Sequence, residues 1–417
     1  MAEINLTGSV IYSNDGTATA LPAITIGDMT FNISGTGSTT DKFAATSMNK
    51  VVFYDTKLEN ISFSTKELTG GNWAFIDTVV TGNDGAEIGA SLLYMFGQSG
   101  YNALISGATF SANNMKNAPD SRGLIANRGG TLTVDDALFT GNIMDAYGAI
   151  HQWGSASCTM NISGSTFTYN YSDVGAAISA QSAGWVNISG GAGSNAMLFH
   201  GNTATSGGAI WGGNYHGRFN VNGATFSKNI ASSGGVAYNE LILNVNKAAD
   251  GTKTLFSGNT AGNGGAIYTK FRAYNTSFGY PAVTVNDAVF EDNFATSSGG
   301  AIYSDRTDLD IRRNTFTGSV ASTSNGGAVW LTGNTHTMIF ADNTFTANTG
   351  KSGGAVYISA GTVSFTGDEF NNNVSTSYGG AAYLNGMVTF TDVEFSANTG
   401  YRFTRRRTDP QQRFAPG

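Results

Sequence analysis

The stretch FSGNTAGNGGAIY, residues 256–268, recurs along the chain in near-identical form. FHGNTATSGGAIW (199–211) precedes it and FTANTGKSGGAVY (345–357) follows it. Each copy has an Asn three positions after the Phe, then a Gly-Gly-Ala word, then an aromatic residue two positions after the Ala. Recurrence of this kind is the sequence signature of a repeat architecture, in which each repeat is one structural unit.

Taking the apolar residue of F-x-x-N as an anchor gives twelve repeats spaced 25 to 34 residues apart. An Asn stands three positions after the anchor in every repeat except one, where Ser319 replaces it. The twelve anchors are Val80, Phe110, Phe139, Phe167, Phe199, Phe226, Phe256, Phe290, Phe316, Phe345, Phe370 and Phe395.

The residues upstream of the anchors alternate as in β-strands. In ten repeats an apolar residue lies five positions before the anchor, often with a second apolar residue two positions before that, as in Leu132 and Val134. This is the period of 2 that a β-strand gives. In the other two repeats the gap is eleven, from Ile188 to Phe199 and from Val245 to Phe256, which predicts a six-residue loop inserted between two strands.

Each repeat thus holds about three short strands separated by bends, and no helical period of 3.6 competes with them. One such unit buries too little apolar surface alone, so the repeats are expected to stack into a solenoid. The predicted fold is all-β, a right-handed parallel β-helix of about 12 or more coils of 25–34 residues. Its handedness follows the general preference of parallel crossover connections.

The repeated Phe and Asn residues are expected to form a structural ladder inside this fold. Stacked anchors bury their rings, and each Asn lies where the chain turns, so that its amide can bond the backbone and the Asn of the next coil. Gly-Gly permits positive φ or a close approach of two backbones. The ladder positions singled out are Phe199, Asn202, Phe226, Asn229, Phe256, Asn259, Phe290, Asn293, Phe345, Asn348, Phe370 and Asn373.

Seven consecutive repeats carry an aromatic residue two positions after the Ala position of the Gly-Gly-Ala word. The aliphatic neighbours, such as Ile267 and Ile302, have the opposite parity, which predicts that the aliphatic side chains point inward and the aromatic rings outward. An outward column of amphipathic rings either binds sugars or protein partners, or only stiffens the sheet. This predicted aromatic stripe is Trp211, Tyr238, Tyr268, Tyr303, Trp330, Tyr357 and Tyr383.

Composition restricts the function. The chain has 417 residues, a net charge of −7 and 12% charged residues, about half of the usual share. This balance gives no support to nucleic-acid binding, and no apolar run is long enough for a membrane-spanning helix. The start, MAEINLTGSVIYSNDG, lacks a basic region followed by an apolar one, so no signal peptide is expected within this chain. Cys158 is the single cysteine and cannot form an intrachain disulfide.

No catalytic, cofactor-binding or metal-binding set stands out, and no cofactor is expected. The densest charged segment is SDRTDLDIRRN, where Asp308 and Asp310 share strand parity and could face a cation or a sugar. Arg312 has the same parity, so an ion pair at a solvated edge is the simpler interpretation. The four His residues are scattered over different coils, with no metal-ligand spacing.

The words GGAI and F-x-x-N, which co-occur at a steady offset over about residues 73–400, resemble the repeats of the polymorphic outer membrane proteins of Chlamydia-type bacteria and of related adhesin-like autotransporters. The resemblance implies a surface-exposed β-helical passenger that acts in adhesion or host contact. Relatives of this kind carry a signal peptide and a C-terminal membrane barrel, which the sequence of this chain does not display.

The ends differ from the middle. Residues 1–72 keep the strand alternation but lose the Asn and the Gly-Gly-Ala word, as expected of degenerate coils or a cap, ahead of the repeat domain at 73–400. Residues 401–417, YRFTRRRTDPQQRFAPG, hold five basic residues and two Pro. They are interpreted as a segment foreign to the repeats, a truncation or frame artefact, or alternatively as a basic tail.

The leading functional hypothesis is a noncatalytic β-helix exposed at the cell surface, extracellular or associated with the outer membrane, that acts in adhesion or as a rigid stalk. Its partner would be a glycan or a protein on a host or neighbouring cell. The alternatives are a carbohydrate-active β-helix enzyme, a polysaccharide lyase or hydrolase, and a purely structural spacer. The enzyme would need acidic and basic side chains that converge in one exterior groove, whereas the spacer would need no exposed stripe.

Overall fold

The computed structural model describes residues 24–26, 31–34, 42–44, 50–54, 56–59, 62–64, 72–83, 93–95, 102–116, 122–154, 158–181, 184–213, 217–240, 242–271, 282–333 and 337–401. In these ranges the chain is all-β and coils into a parallel β-solenoid, with every strand pair parallel. No α-helix occurs among these residues, and Gly193–Asn195 forms a single turn of 3-10 helix.

A complete coil contributes one strand to each of three long sheets, called sheets 1, 2 and 3 in the order in which the chain meets them. Sheet 1 has 14 strands, most of five residues. They are Ile24–Ile26, Lys50–Tyr54, Asn72–Ile76, Asn102–Ser106, Thr131–Asp135, Thr159–Ser163, Trp185–Ser189, Arg218–Asn222, Ile242–Asn246, Ala282–Asn286, Asp308–Arg312, Thr337–Ala341, Thr362–Thr366 and Met387–Thr391.

Sheet 2 follows after a two-residue turn in most coils, has 14 strands and carries the anchors of the sequence repeat. Its strands are Phe31–Ser34, Thr56–Glu59, Val79–Thr81, Thr109–Ser111, Leu138–Thr140, Thr166–Thr168, Met197–His200, Ala224–Ser227, Leu255–Ser257, Val289–Glu291, Thr315–Thr317, Thr344–Thr346, Glu369–Asn371 and Glu394–Ser396.

Sheet 3 has 11 strands and carries the aromatic stripe. Its strands are Leu93–Met95, Ile125–Asn127, Ile150–Gln152, Ile178–Ala180, Ile210–Gly212, Ala237–Asn239, Ile267–Lys270, Ile302–Asp305, Val329–Thr332, Val356–Ile358 and Ala382–Leu384. The solenoid has about 10 turns, slightly fewer than the twelve or more predicted from the anchors.

Short strands between sheets 2 and 3 form two smaller sheets, of 4 and 6 strands. The first holds Asn114–Met115, Ile143–Met144, Tyr171–Val174 and Thr203–Ser206, and the second holds Thr260–Ala261, Phe294–Ala295, Val320–Ala321, Thr349–Gly350, Val374–Tyr378 and Thr399–Tyr401. A two-stranded sheet joins Lys42–Ala44 to Ser62–Ser64. The C-terminal tail, which the sequence analysis interprets as foreign to the repeats, lies outside the described residues from position 402 onward.

The core runs along the solenoid axis and is filled by the alternate inward residues of the three sheets. In sheet 1 the second and fourth residue of a typical strand are buried, as Leu132 and Val134 are, and their neighbours are more exposed. In sheet 2 the middle residue, the anchor, is buried. Alternation with a period of 2 therefore places one apolar set inside and one polar set outside, as the sequence predicts.

Candidate binding surface

The anchors form a continuous Phe ladder inside sheet 2. From Phe110 to Phe395 each ring stacks on the ring of the next coil, with centroids 4.6 to 5.2 Å apart. Phe256 lies between Phe226 and Phe290 and is 2% exposed. Burial of each ring stabilises the fold by about 2 kcal/mol, so these Phe residues are accounted for by packing alone.

The Asn residues form an Asn ladder, interrupted at Ser319, in which an amide that lies between two other Asn residues has all its polar groups hydrogen-bonded. Asn142 shows the pattern: its Nδ2 donates to Oδ1 of Asn170 at 2.9 Å and to the carbonyl oxygen of Phe110 at 2.9 Å. Its own Oδ1 accepts bonds from both the backbone N and Nδ2 of Asn113. Buried polar groups must be paired, and here one side chain bonds the coils on both sides of it.

The Gly-Gly-Ala word closes each coil before sheet 3. The first Gly adopts a positive φ, 62° at Gly264, which disfavours any residue with a Cβ. The second lies directly under the next coil: a Cβ on Gly265 would collide with the carbonyl oxygen of Gly300. The word is therefore required by the backbone geometry of the bend.

Six residues of the aromatic stripe form an outward column on sheet 3. Tyr238, Tyr268, Tyr303, Trp330, Tyr357 and Tyr383 are all partly exposed, with neighbouring centroids 4.1 to 6.3 Å apart and ring planes within 11° of parallel. The adjacent aliphatic residues Ile267, Ile302 and Val329 are fully buried. In these coils the aliphatic side chains of sheet 3 therefore point into the core and the aromatic side chains point outward.

Trp211, the first residue of the stripe, departs from this arrangement and is a correction to the prediction. It occupies the outward register position next to Tyr238 but is 8% exposed. The reason lies two residues on, at Gly213, where an added Cβ would collide with the indole ring. Because Gly213 has no side chain, the ring of Trp211 lies down along its own strand and offers little surface to a partner.

Charged side chains flank the middle of the stripe. The hydroxyl of Tyr238 donates to Oε1 of Glu240 at 2.8 Å. Burial first, and then the carboxylates of Asp305 and Glu240, raise the pKa of Tyr268. Burial, Tyr268 and Asp305 also raise the pKa of Tyr303. These phenols therefore stay protonated at physiological pH and can donate hydrogen bonds to a ligand.

A second group on sheet 3, which the sequence analysis missed, consists of Arg122, Arg128, Tyr147, His151 and Trp153, the arginine–tryptophan cluster. The guanidinium carbons of Arg122 and Arg128 each lie 4.4 Å from the ring centroid of Trp153. Tyr147 stacks on His151 at 4.0 Å, and Arg122 is 5.8 Å from the Tyr147 ring. The only sequence signal was the loss of the regular aromatic position in these coils.

His151 contributes no positive charge to this cluster. It is fully buried, and its Nδ1 lies 2.8 Å from Oγ of Ser179. Burial, followed by the charge of Arg122, lowers the pKa of His151 to about 3. The imidazole is therefore neutral at physiological pH, and the positive charge of the cluster comes from the two arginines.

In the acidic segment considered as a catalytic candidate, two of the three carboxylates, Asp305 and Asp310, form ion pairs. Arg312 binds Asp310 through both carboxylate oxygens, at 2.6 and 3.1 Å, and Arg313 binds Asp287 in the same way, with both contacts at 3.1 Å. Arg306 pairs with Asp305 at 3.1 Å. Within the described ranges, no group of three or more His, Cys, Asp or Glu residues has a geometry that could hold a metal ion.

Two segments of the chain match a known sequence repeat, and each contains one residue of the Phe ladder, one of the Asn ladder and one of the aromatic stripe. Residues 253–270 and 287–305 match the family model of the Chlamydia polymorphic membrane protein repeat. The chain resembles the polymorphic outer membrane proteins. The first matched segment ends just after Tyr268 and the second just after Tyr303, so each includes an anchor Phe, its Asn, the Gly-Gly-Ala word and one ring of the stripe.

A curated relative supports the same family. A protein of Chlamydia pneumoniae described as "Probable outer membrane protein pmp6" is 35% identical over 118 residues, which cover 26% of this chain and 9% of the relative. No solved structure matches the chain. In the part of the chain that the structure describes, no helix has the length and apolar character needed to cross a membrane.

Proposed function

We propose that this chain is the β-helical part of a noncatalytic protein displayed at the cell surface, in association with the outer membrane, and that it acts in adhesion. The repeat match and the outer-membrane description of the relative support the location. The observation that carries the adhesive role is the outward column of stacked rings on sheet 3. Its partner would be a glycan or a protein on a host or neighbouring cell.

The physical argument rests on the amphipathic character of the column. Folding needs the inward residues, but it does not need stacked rings at this register position, because earlier coils have Ala126 and Ser179 there, both fully buried. Tyr and Trp present a large rigid apolar face with a polar tip, the residue types that dominate binding hot spots. A rigid solenoid also holds the rings at a fixed spacing of about 4.8 Å per coil.

The decisive experiment replaces the three central rings by Ser, in the variant Tyr268→Ser, Tyr303→Ser, Trp330→Ser. We expect adhesion of the purified chain to cells or to a glycan array to fall about tenfold or more, because hot-spot residues contribute about 2 kcal/mol each. A matched control in the same coils changes outward positions of sheet 2, in the variant Leu255→Ser, Val289→Ser, Thr315→Ser, which should adhere like the unmodified chain.

Circular dichroism and the thermal midpoint of both variants establish that they are folded. If the folded stripe variant adheres as well as the unmodified chain, the stripe is not the adhesive surface and the spacer interpretation takes its place. No observation favours the enzyme alternative, and two carboxylates of its candidate segment, Asp305 and Asp310, are paired with arginines.

A further inference from the structure

Four asparagines of the chain are followed directly by a glycine: Asn222, Asn263, Asn325 and Asn385. Asparagine is a chemically labile residue, and its side chain loses the amide most readily before glycine, which has no side chain to obstruct the approach of its backbone nitrogen. The four dipeptides meet this local requirement equally. The surrounding fold therefore decides which of them can react.

The reaction has two steps and consumes one water molecule. The backbone nitrogen of the glycine loses its proton to solvent and bonds to Cγ of the preceding asparagine, while the side-chain nitrogen leaves as ammonia, which closes a succinimide ring. Water then opens the ring and leaves a carboxylate, either as aspartate or as its isomer, in which the main chain runs through the former side chain. A glycine N–H that is hydrogen-bonded to a carbonyl must first break that bond before it can attack.

At three of the four dipeptides the adjacent coil holds the reacting groups. Gly264 and Gly326 each donate their backbone N–H to a carbonyl oxygen of the following coil at 3.0 Å, and Gly223 donates to one at 3.1 Å. All three glycines are buried. The carboxamide of Asn263 is held as well, since its Oδ1 accepts the backbone N of Ser298 at 3.3 Å. Attack at these positions requires neighbouring coils to separate.

The dipeptide Asn385–Gly386 has a different environment. It connects the sheet 3 strand Ala382–Leu384 to the sheet 1 strand Met387–Thr391, and both of its residues are exposed. In the part of the chain that the structure describes, the backbone nitrogen of Gly386 has no hydrogen-bond acceptor, whereas the nitrogens of Asn385 and Met387 are both bonded, at 2.9 Å. Met387 is 71% exposed, so few contacts oppose the small backbone movement that brings the nitrogen to Cγ.

We propose that Asn385 is a site of spontaneous deamidation and that the solenoid protects the other three asparagines that precede glycine. The product places a carboxylate two positions after Tyr383, in the column of outward positions that contains Lys270 and Asp305. The carboxyl group of aspartate has a pKa of about 3.9 in water. At neutral pH the modified chain therefore carries one additional negative charge beside the last ring of the aromatic stripe.

The test incubates the full, folded chain in mildly alkaline buffer and follows the four Asn-Gly peptides by mass spectrometry, which distinguishes asparagine from its two acidic products. We expect Asn385 to react at least about tenfold faster than Asn222, Asn263 and Asn325, because only its reaction needs no separation of coils. The rate should rise with pH, since the deprotonated backbone nitrogen is the nucleophile. Isoelectric focusing should show the corresponding acidic form of the intact chain.

The same chain unfolded in guanidinium chloride is the matched control. Hydrogen bonds between coils are absent there, so the four dipeptides should react at similar rates. In the variant Asn385→Gln the side chain keeps its amide but would have to close a larger and less favourable ring, so the folded variant should not accumulate the acidic form. The variant Asn263→Gln should accumulate it as fast as the unmodified chain, and thermal midpoints verify that both variants are folded.

Equal rates at the four dipeptides of the folded chain would overturn the inference, and so would a faster reaction at Asn222, Asn263 or Asn325. It is also overturned if Asn385 stays intact in the folded chain while it reacts in the unfolded one. An acidic form that accumulates equally in Asn385→Gln would place the reaction at another residue and contradict the assignment.

Discussion

Among the described residues, the Asn ladder is interrupted at one position, where Ser319 replaces the Asn. Its backbone N bonds Oδ1 of Asn348 at 3.0 Å, as an Asn at that position would, but its hydroxyl is buried without a hydrogen-bond partner. The rungs on its two sides, Asn293 and Asn348, are therefore not connected through side chains at this coil, whereas Asn259 and Asn293 are, at 2.9 Å.

Replacing Ser319 by Asn should connect the two parts of the ladder. The new Nδ2 would donate to Asn348, and its Oδ1 would accept from Asn293, so we expect the free energy of unfolding to rise by about 1 kcal/mol. Urea denaturation measures the change. Ser319→Ala is the control, since it removes the unpaired hydroxyl without adding the amide. A Ser319→Asn variant no more stable than Ser319→Ala would contradict the explanation.

Asp368 ends a second and shorter buried polar column, which starts at Asn314 and passes through Asn343. Oδ1 of Asp368 accepts bonds from the backbone N and Nδ2 of Asn343, at 2.9 and 2.8 Å, and Oδ2 accepts the backbone N of Thr366 at 3.0 Å. Burial nevertheless raises the pKa of Asp368 to about 6, because these hydrogen bonds only partly offset the desolvation of the charge.

This carboxyl group should make stability depend on pH in an unusual direction. An unfolded Asp has a pKa of about 3.9, so the fold retains the proton to a higher pH than the unfolded chain does. The contribution of Asp368 is therefore most favourable below about pH 4 and is lost as pH rises to about 6. Asp368→Asn does not titrate, so the stability of the unmodified chain relative to it should decline over this range, by on the order of 1 kcal/mol. Urea midpoints at several pH values test this, and a constant difference would rule it out.

At the scale of the element, the bend between sheet 2 and sheet 3 depends on two glycines for different reasons. Gly264 has a φ of 62°, so its constraint is conformational. Gly265 has no such φ, but a Cβ there would collide with the carbonyl of Gly300 and lie 2.8 Å from the backbone of Phe294. Its constraint comes from the neighbouring coil and is repeated along the solenoid, which is why the whole word recurs.

Gly265→Ala should therefore destabilise the fold by about 3 kcal/mol, the upper part of the range for overpacking, because the backbone of two coils would have to separate. Gly258→Ala is the matched control: Gly258 has a φ of 61°, but only Lys228 Cγ lies near an added Cβ, at 3.9 Å, so only the strain of about 1 kcal/mol remains. Thermal and urea unfolding of the two variants measure the difference. Equal losses would show that stacking does not limit the bend.

At the scale of the whole molecule, the regular features were predictable because each is encoded by one residue at a fixed spacing. Phe256 and Asn259 contact their counterparts in the next coil, so the period of the sequence is the period of the structure. The outward position of Tyr268 followed from strand parity in the same way.

The features that the sequence did not predict depend on contacts between unlike residues. Trp211 has the strand parity of the stripe, but its indole ring lies over Gly213. This ring position is possible only because Gly213 has no side chain. The ring of Trp153 contacts Arg122 and Arg128, which belong to the preceding coil and to no repeat motif. Strand parity predicts the side of the sheet on which a side chain lies. It does not predict the rotamer of that side chain or the residues that it contacts.

A stack in which each coil contacts only its neighbours should not be equally stable along its length. Phe290, in the interior of the stack, is fully buried, whereas Phe395, in the outermost described coil, is 49% exposed. The strands of that coil, Met387–Thr391 and Glu394–Ser396, have no fully buried residue, whereas the buried positions of Ala282–Asn286 alternate regularly.

Hydrogen exchange followed by mass spectrometry should therefore find the amides of residues 387–396 exchanging at least about tenfold faster than those of residues 282–291, through opening of the outer coil alone. The segments share the same parallel pairing and turn geometry, so each serves as the control for the other. Equal protection of the two segments would mean that the solenoid opens as a single cooperative unit. In that case the Phe and Asn ladders would couple the coils more strongly than contacts between neighbours imply.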